Sequence, residues 1–314
     1  MKTAFVFPGQ GAQYTGMGKE LYNNFELIRK IYDETDDILG EGFVNLIFNG
    51  TDEDLKRTEN AQPGILMMST AISELLKSEG IFPVMTAGLS LGEYSALVSA
   101  NSISYTEAVP LVRRRGRLMD EAAPNGKGTM TAILGLDADK LLSCCEQASE
   151  YGTVSIANYN CPGQLVITGE VQAVGKASEL AKQAGARRVV PLAVSGPFHS
   201  PLLKEAGEAL AELLEKANIK PPEVPVISNV TALPTAGTDE IRSLLARQVS
   251  SPVRWEESIR YMLSQGVDTF IEVGPGRTLT GFMKKIDKTA AVYNVEDMAS
   301  LETVLGLTDA ALEV

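Results

Sequence analysis

The sequence predicts an α/β fold in two parts: a parallel-sheet domain formed by residues 1–125 and 196–314, and a smaller domain inserted over residues 126–195. Three observations predict it. Short apolar runs bounded by Gly and Pro alternate with amphipathic stretches of helical length, the pattern of parallel strands joined by crossover helices. Pro124-Asn125-Gly126-Lys127-Gly128 interrupts that alternation as a linker. Beyond it, the element order over about 65 residues is β-α-β-β-α-β, that of a ferredoxin-like unit. A chain of 314 residues, at about 150 per domain, accommodates both parts.

In order along the chain, Thr3 to Phe7 reads as a buried strand ending at Pro8-Gly9-Gln10-Gly11, followed by a helix over 19–39 and another over 63–78. Residues 82–87 form a short apolar strand between Gly80 and Gly88, and a helical pattern resumes at Glu93. Ser104 and Glu107 have capping-box spacing at the start of a further helix, which contains Pro110. The inserted part reads as strand 130–134, helix 137–149, strands 153–158 and 164–168, helix 171–184 and strand 188–191. The chain returns through Ser195-Gly196-Pro197 to a helix with Ser200 at its N-cap and Pro201 in its first position. A Pro-rich crossing at 221–225, a strand at 226–229, a helix at 253–264 and a strand at 269–273 before Gly274-Pro275-Gly276 complete the pattern.

The chain carries 28 basic and 40 acidic side chains, a net charge of −12, which speaks against general attraction to nucleic acid or anionic membrane. An anionic ligand must therefore meet a local cluster of positive charge. Cys144, Cys145 and Cys161 have the spacing of neither a disulfide framework nor a zinc site, so a reducing cytoplasm is the expected location. The start, broken at Pro8-Gly9, does not read as a leader, and no apolar run approaches the roughly 20 residues that span a bilayer. His199 is the single histidine, hence the only imidazole available to chemistry.

Three features point to chemistry. Gly88-Leu89-Ser90-Leu91-Gly92 fits the G-x-S-x-G elbow, and it stands between a predicted strand and a predicted helix, as on an α/β-hydrolase-like sheet. Small flanking residues permit the tight turn that exposes the hydroxyl, and the helix start supplies N–H groups for an oxyanion. A turn without chemistry gives the same pattern, and a lone histidine is by default structural. A serine nucleophile nonetheless needs a base that titrates near neutrality, which His199 would supply from its loop. Arg115 is the third feature. Ala108, Leu111, Val112, Leu118 and Met119 define one helical stripe with Arg115 in its middle, while Arg113, Arg114 and Arg117 point away to solvent. An inward guanidinium needs a partner, either a protein carboxylate or the carboxylate of a ligand.

Several ordered motifs together resemble the malonyl-CoA:acyl carrier protein transacylases of fatty acid synthesis over nearly the whole chain. They are Phe5-Val6-Phe7-Pro8-Gly9-Gln10-Gly11 with Gly16-Met17-Gly18, the elbow continued through Glu93-Tyr94-Ser95-Ala96-Leu97, Arg113 to Gly116, Asn158 to Gln164, Gly196-Pro197-Phe198-His199-Ser200, Ser251 to Trp255 and Glu272 to Gly276. The resemblance implies that Ser90 is the acylated nucleophile and His199 its base and acid, with the imidazole oriented by a main-chain carbonyl near Gln248. It implies an oxyanion hole from the amides of Gln10 and Leu91, a malonyl carboxylate held by Arg115, and Phe198 crowding the α-carbon against methylmalonyl. Many relatives have His before the nucleophile; here it is Leu89.

The resemblance further implies ping-pong transfer from malonyl-CoA to the pantetheine thiol of an acyl carrier protein, with no metal and no redox cofactor. Because the chain begins almost at its first strand and ends soon after its last helix, a free-standing enzyme with the carrier in trans is expected; a monomer is expected as well. Lys182, Arg187-Arg188 and Lys284-Lys285 are the candidate docking cations for an acidic carrier, against the ordinary alternative of solvated surface. Three other readings share parts of the pattern: a serine hydrolase or thioesterase, which shares the elbow, the same transfer serving polyketide synthesis, and a non-catalytic carrier-binding scaffold.

Overall fold

The computed structural model describes residues 1–122 and 126–312, with side chains through residue 307. Pro124 and Asn125 of the expected linker lie outside the described residues. The strands are β1 (Thr3–Phe7), β2 (Met85–Gly88), β3 (Gly128–Leu134), β4 (Val154–Cys161), β5 (Gln164–Glu170), β6 (Arg188–Pro191), β7 (Val226–Ile227), β8 (Thr269–Val273) and β9 (Ala291–Val295). They form a parallel sheet of order β7-β2-β1-β8-β9 and an antiparallel sheet of order β4-β5-β3-β6. The mixed α/β class is the expected one. By its internal contacts the chain divides into two compact units, one of Met1–Arg114, Ala217–Ile227 and Tyr261–Val314, the other of Arg115–Lys216 and Ser228–Arg260. The unit holding the antiparallel sheet thus takes in more chain than residues 126–195.

In the parallel-sheet unit, β1 is buried along its whole length. Its Thr-Ala-Phe-Val-Phe run is continuous rather than alternating, because a central parallel strand is covered on both faces. It pairs with β2 in a register that sets Phe7 opposite Gly88, and with β8 on its other side. The expected helix over 19–39 is two helices, Lys19–Asn24 and Glu26–Leu39, because Phe25 takes an extended conformation between them. The next long helix begins at Thr58 rather than at Pro63, so the proline lies inside it. Helices Phe43–Asn49, Asp52–Lys56, Thr278–Ile286 and Met298–Leu312, with edge strand β9, were not anticipated. β7 ends at Ile227, two residues short of the expected strand end.

In the second unit, β3 pairs with β5 and with β6, and helices Ala138–Ala148 and Val171–Gln183 cover the sheet. Leu141, Cys144, Cys145, Val174 and Ala177 pack on Ile133, Ile156, Leu165 and Ile167. Each large apolar side chain so buried stabilises the fold by about 1.5–3 kcal/mol relative to exposure. All three cysteines are free and buried, and burial pushes the Cys145 thiol up to about 12. Helix Thr238–Gln248, also unanticipated, ends in this unit at Gln248. Among the described residues, no helix is long and apolar enough to cross a membrane.

Candidate active site

The parallel-sheet unit forms the elbow as its sequence demands. The Leu89 N–H donates to the Phe7 carbonyl at 3.0 Å, then the chain turns so sharply that Ser90 adopts φ 54° and helix Gly92–Ser99 begins two residues later. The Gly92 N–H donates to Leu89 O and that of Glu93 to Ser90 O, at 3.0 and 3.1 Å. The glycines are required by close approach: a Cβ on Gly88 would lie 1.8 Å from the Gly92 carbonyl carbon, and one on Gly92 2.2 Å from Phe7 O. A serine in the left-handed region costs about 1–3 kcal/mol, strain of the kind that collects at functional sites.

The loop after β1 runs against this elbow, since a Cβ on Gly9 would lie 2.4 Å from Leu89 O. The side chain of Gln10 is tied at both ends to the long helix starting at Thr58. Its Nε2 donates to the Thr58 hydroxyl at 3.3 Å, and its Oε1 accepts from Gln62 Nε2 at 3.5 Å. Among the described residues, neither the Gln10 nor the Leu91 amide donates to another protein group. Both remain available to an incoming anion, beside the positive end of the helix that follows. Thr58 and Gln62 were not singled out from the sequence; only their place one helical turn apart could have linked them.

The second unit gathers His199, Arg115, Gln248 and Asn229. His199 also has a positive φ, 59°, and its N–H donates to Val249 O at 3.1 Å. Its Nδ1 lies 2.8 Å from the Gln248 carbonyl. A carbonyl only accepts, so Nδ1 carries the proton of the neutral ring and Nε2 carries the lone pair. Burial, and then the positive charge of Arg115, lower the His199 pKa to about 4, against the opposing pull of backbone contacts at Gln248 and Ser251. The imidazole is therefore neutral at pH 7, the form a base requires. Phe198 beside it is buried. Ser200 holds the N-cap position before Pro201, but its hydroxyl donates back to Pro197 O at 2.7 Å and the first turn, Pro201–Leu203, is 3₁₀.

Arg115 is 0% exposed, as its place on the stripe requires, and its Nη2 donates to Gln248 Oε1 at 2.9 Å. Gln248 Nε2 donates in turn to Asn229 Oδ1 at 3.3 Å, and both amide residues are fully buried. The expectation for Arg113 needs correction. It is half-buried in the other unit, where Nη1 donates to Leu39 O at 2.9 Å and the guanidinium lies 5.9 Å from the Phe43 ring. A long side chain can leave the apolar stripe and still lie along a neighbouring helix. Arg114 and Arg117 are exposed as expected, and so are Lys182, Arg187, Arg188, Lys284 and Lys285. Asn229 was missed; its signal was an amide just past a buried strand in an α/β sheet, where binding sites collect.

Residues 4–308 match the model of the acyl transferase domain. The chain belongs to that family. Among curated proteins it is 49% identical over 305 residues to the malonyl CoA-acyl carrier protein transacylase of Bacillus subtilis strain 168, covering 97% of this chain and 96% of that one. It is 42% identical to the protein of the same name from Escherichia coli K12, covering 97% and 99%. Among solved structures, MCAT from Streptococcus pneumoniae is 46% identical with a TM-score of 0.93, covering 97% of this chain and 99% of that one. The malonyl-transacylase in the PlMCAT:AntF complex, bound to its type II PKS acyl-carrier protein, is 42% identical with a TM-score of 0.95, covering 98% and 99%.

Proposed function

We propose that the chain is a malonyl-CoA:acyl carrier protein transacylase, moving malonyl from malonyl-CoA to the pantetheine thiol of a carrier through a malonyl-serine intermediate. Coverage supports this most strongly: proteins 42–49% identical over 305 residues carry that name, and this chain has an elbow serine, a buried imidazole and a buried guanidinium. Ser90 Oγ attacks the thioester carbon while His199 Nε2 takes its proton. The amides of Gln10 and Leu91 hold the oxyanion, and the imidazolium returns the proton to the departing CoA thiolate. The carrier thiol then gives its proton to His199, attacks the serine ester and leaves Ser90 as it began. No metal or redox cofactor takes part in these steps.

Arg115 pairs with the malonyl carboxylate, with the guanidinium fork already oriented by Gln248. A neutral acetyl group offers nothing to that buried charge, which is the source of selectivity. Phe198 bounds the α-carbon against a methyl branch. The parallel sheet with its elbow is of the α/β-hydrolase kind, and residues 126–195 form a ferredoxin-like insert, supported by the β4-β5-β3-β6 order and the two covering helices. The protein acts in the cytoplasm, a location supported by its three buried thiols, and works as a monomer that meets its carrier in trans.

Fatty acid synthesis is the pathway the chain serves. The likeness to a transacylase bound to a type II PKS carrier favours polyketide synthesis as the second reading. Incubation with malonyl-CoA is expected to add the mass of a malonyl group at Ser90, and holo carrier protein to discharge it. Hydrolysis without transfer would sink the proposal in favour of a thioesterase.

A further inference from the structure

On the malonyl-transfer function proposed above, we infer that Asn229 is a positioning residue for acyl-group selection, acting on Arg115 through the side-chain amide of Gln248. Three hydrogen bonds inside one compact unit carry this. The Gln248 main-chain carbonyl accepts from His199 Nδ1 at 2.8 Å, its side-chain Oε1 accepts from Arg115 Nη2 at 2.9 Å, and its Nε2 donates to Asn229 Oδ1 at 3.3 Å. One residue thus serves the imidazole through its backbone and the guanidinium through its side chain.

A primary amide donates at one end and accepts at the other. Turned over, Gln248 would aim its NH₂ at Arg115, donor against donor, where both side chains are 0% exposed and no bulk water relieves the mismatch. The Asn229 oxygen can only accept, so its contact selects the orientation in which Oε1 faces the arginine. Asn229 is itself fully buried and anchored, since its backbone carbonyl accepts the Arg254 N–H at 2.9 Å. The carbonyl that orients His199 belongs to the end of helix Thr238–Gln248 and does not depend on which way the side-chain amide points. Asn229 therefore acts on recognition of the acyl carboxylate and leaves the base untouched.

The test uses Asn229→Ala, which removes the acceptor, and Asn229→Asp, which keeps one. Both are assayed with wild type for malonyl and acetyl transfer from CoA to holo carrier protein, with KM and kcat separated. Asn229→Ala is expected to raise the malonyl KM about tenfold, the worth of one buried hydrogen bond, with malonyl kcat and both acetyl parameters within about twofold. Asn229→Asp is expected to return the malonyl KM to within about threefold of wild type. Loss of malonyl and acetyl transfer in equal proportion, or an unchanged malonyl KM, overturns the assignment. Should Asn229→Ala fail to fold, Asn229→Leu, which keeps the volume and removes the acceptor, decides: a malonyl KM raised about tenfold with acetyl parameters within about twofold supports the role, and an unchanged malonyl KM overturns it. Absence of a malonyl-serine on the wild-type chain is seen before any variant is made, and it removes the transfer function itself along with the role built on it.

Discussion

Arg115 could be found from sequence because burial leaves a periodic trace: one arginine on an apolar stripe, 0% exposed in the structure. Arg113 could not be read the same way, because the carbonyl and the ring that its guanidinium reaches, Leu39 O and Phe43, come from residues far upstream. Gln248 entered only through the family resemblance, and Asn229 left no more than its place just past a short buried strand, because an amide says little until its partners are known. Arg115→Ala is expected to lower kcat/KM for malonyl about a hundredfold, a few kcal/mol for a charge-assisted pair, while acetyl transfer is retained or improved. Parallel kinetics with the two thioesters check this, and equal losses would make the arginine a structural ion pair only.

At the scale of elements, strands β1 and β8 have the bounds expected of them, since each is a short apolar run closed by Pro and Gly. Helices Phe43–Asn49 and Asp52–Lys56 escaped because so few residues complete too little of a 3.6-residue pattern to be told from a loop. Helix Thr238–Gln248 did carry its signals: Asp239 and Glu240 in the first turn, Arg247 in the last, and buried Ile241, Leu244, Leu245 and Gln248 at helical spacing. The elbow makes a separate prediction about stability. At an ordinary site Ala is more stable than Gly, but at φ 54° the Cβ is the problem, so Ser90→Gly should exceed Ser90→Ala by about 1 kcal/mol in chemical unfolding. Both variants are expected to lose acyl transfer, since each removes the proposed nucleophile. An alanine chain as stable as the glycine one would show that the turn holds no strain.

Across the whole molecule, two buried groups tie stability to pH with opposite signs. His199 has its pKa lowered from 6.5 to about 4, so between those values the unfolded chain binds the extra proton and stability rises with pH. Glu272, at the end of β8, accepts N–H bonds from Leu279 and Thr280 at 3.0 and 2.7 Å. Desolvation nonetheless raises its carboxyl from 4.5 to about 7, so between those values the folded chain binds the extra proton and stability falls with pH. Where the windows overlap the two slopes offset each other. Glu272→Gln should expose the histidine slope and His199→Ala the glutamate slope, each of order 3 kcal/mol across its window. Denaturant midpoints from pH 4 to 7 measure both, and identical profiles for the two variants would refute the pairing.

The register that sets Phe7 opposite Gly88 has a consequence for how this site can vary. The amides of Gln10 and Leu91 hang from neighbouring strands, each a few residues past its last ladder partner. Inserting a single residue after either strand would slide one amide by about 3.3 Å relative to the other, a whole hydrogen-bond length. Beyond what each side chain does, the spacing between strand end and amide tolerates no change in count.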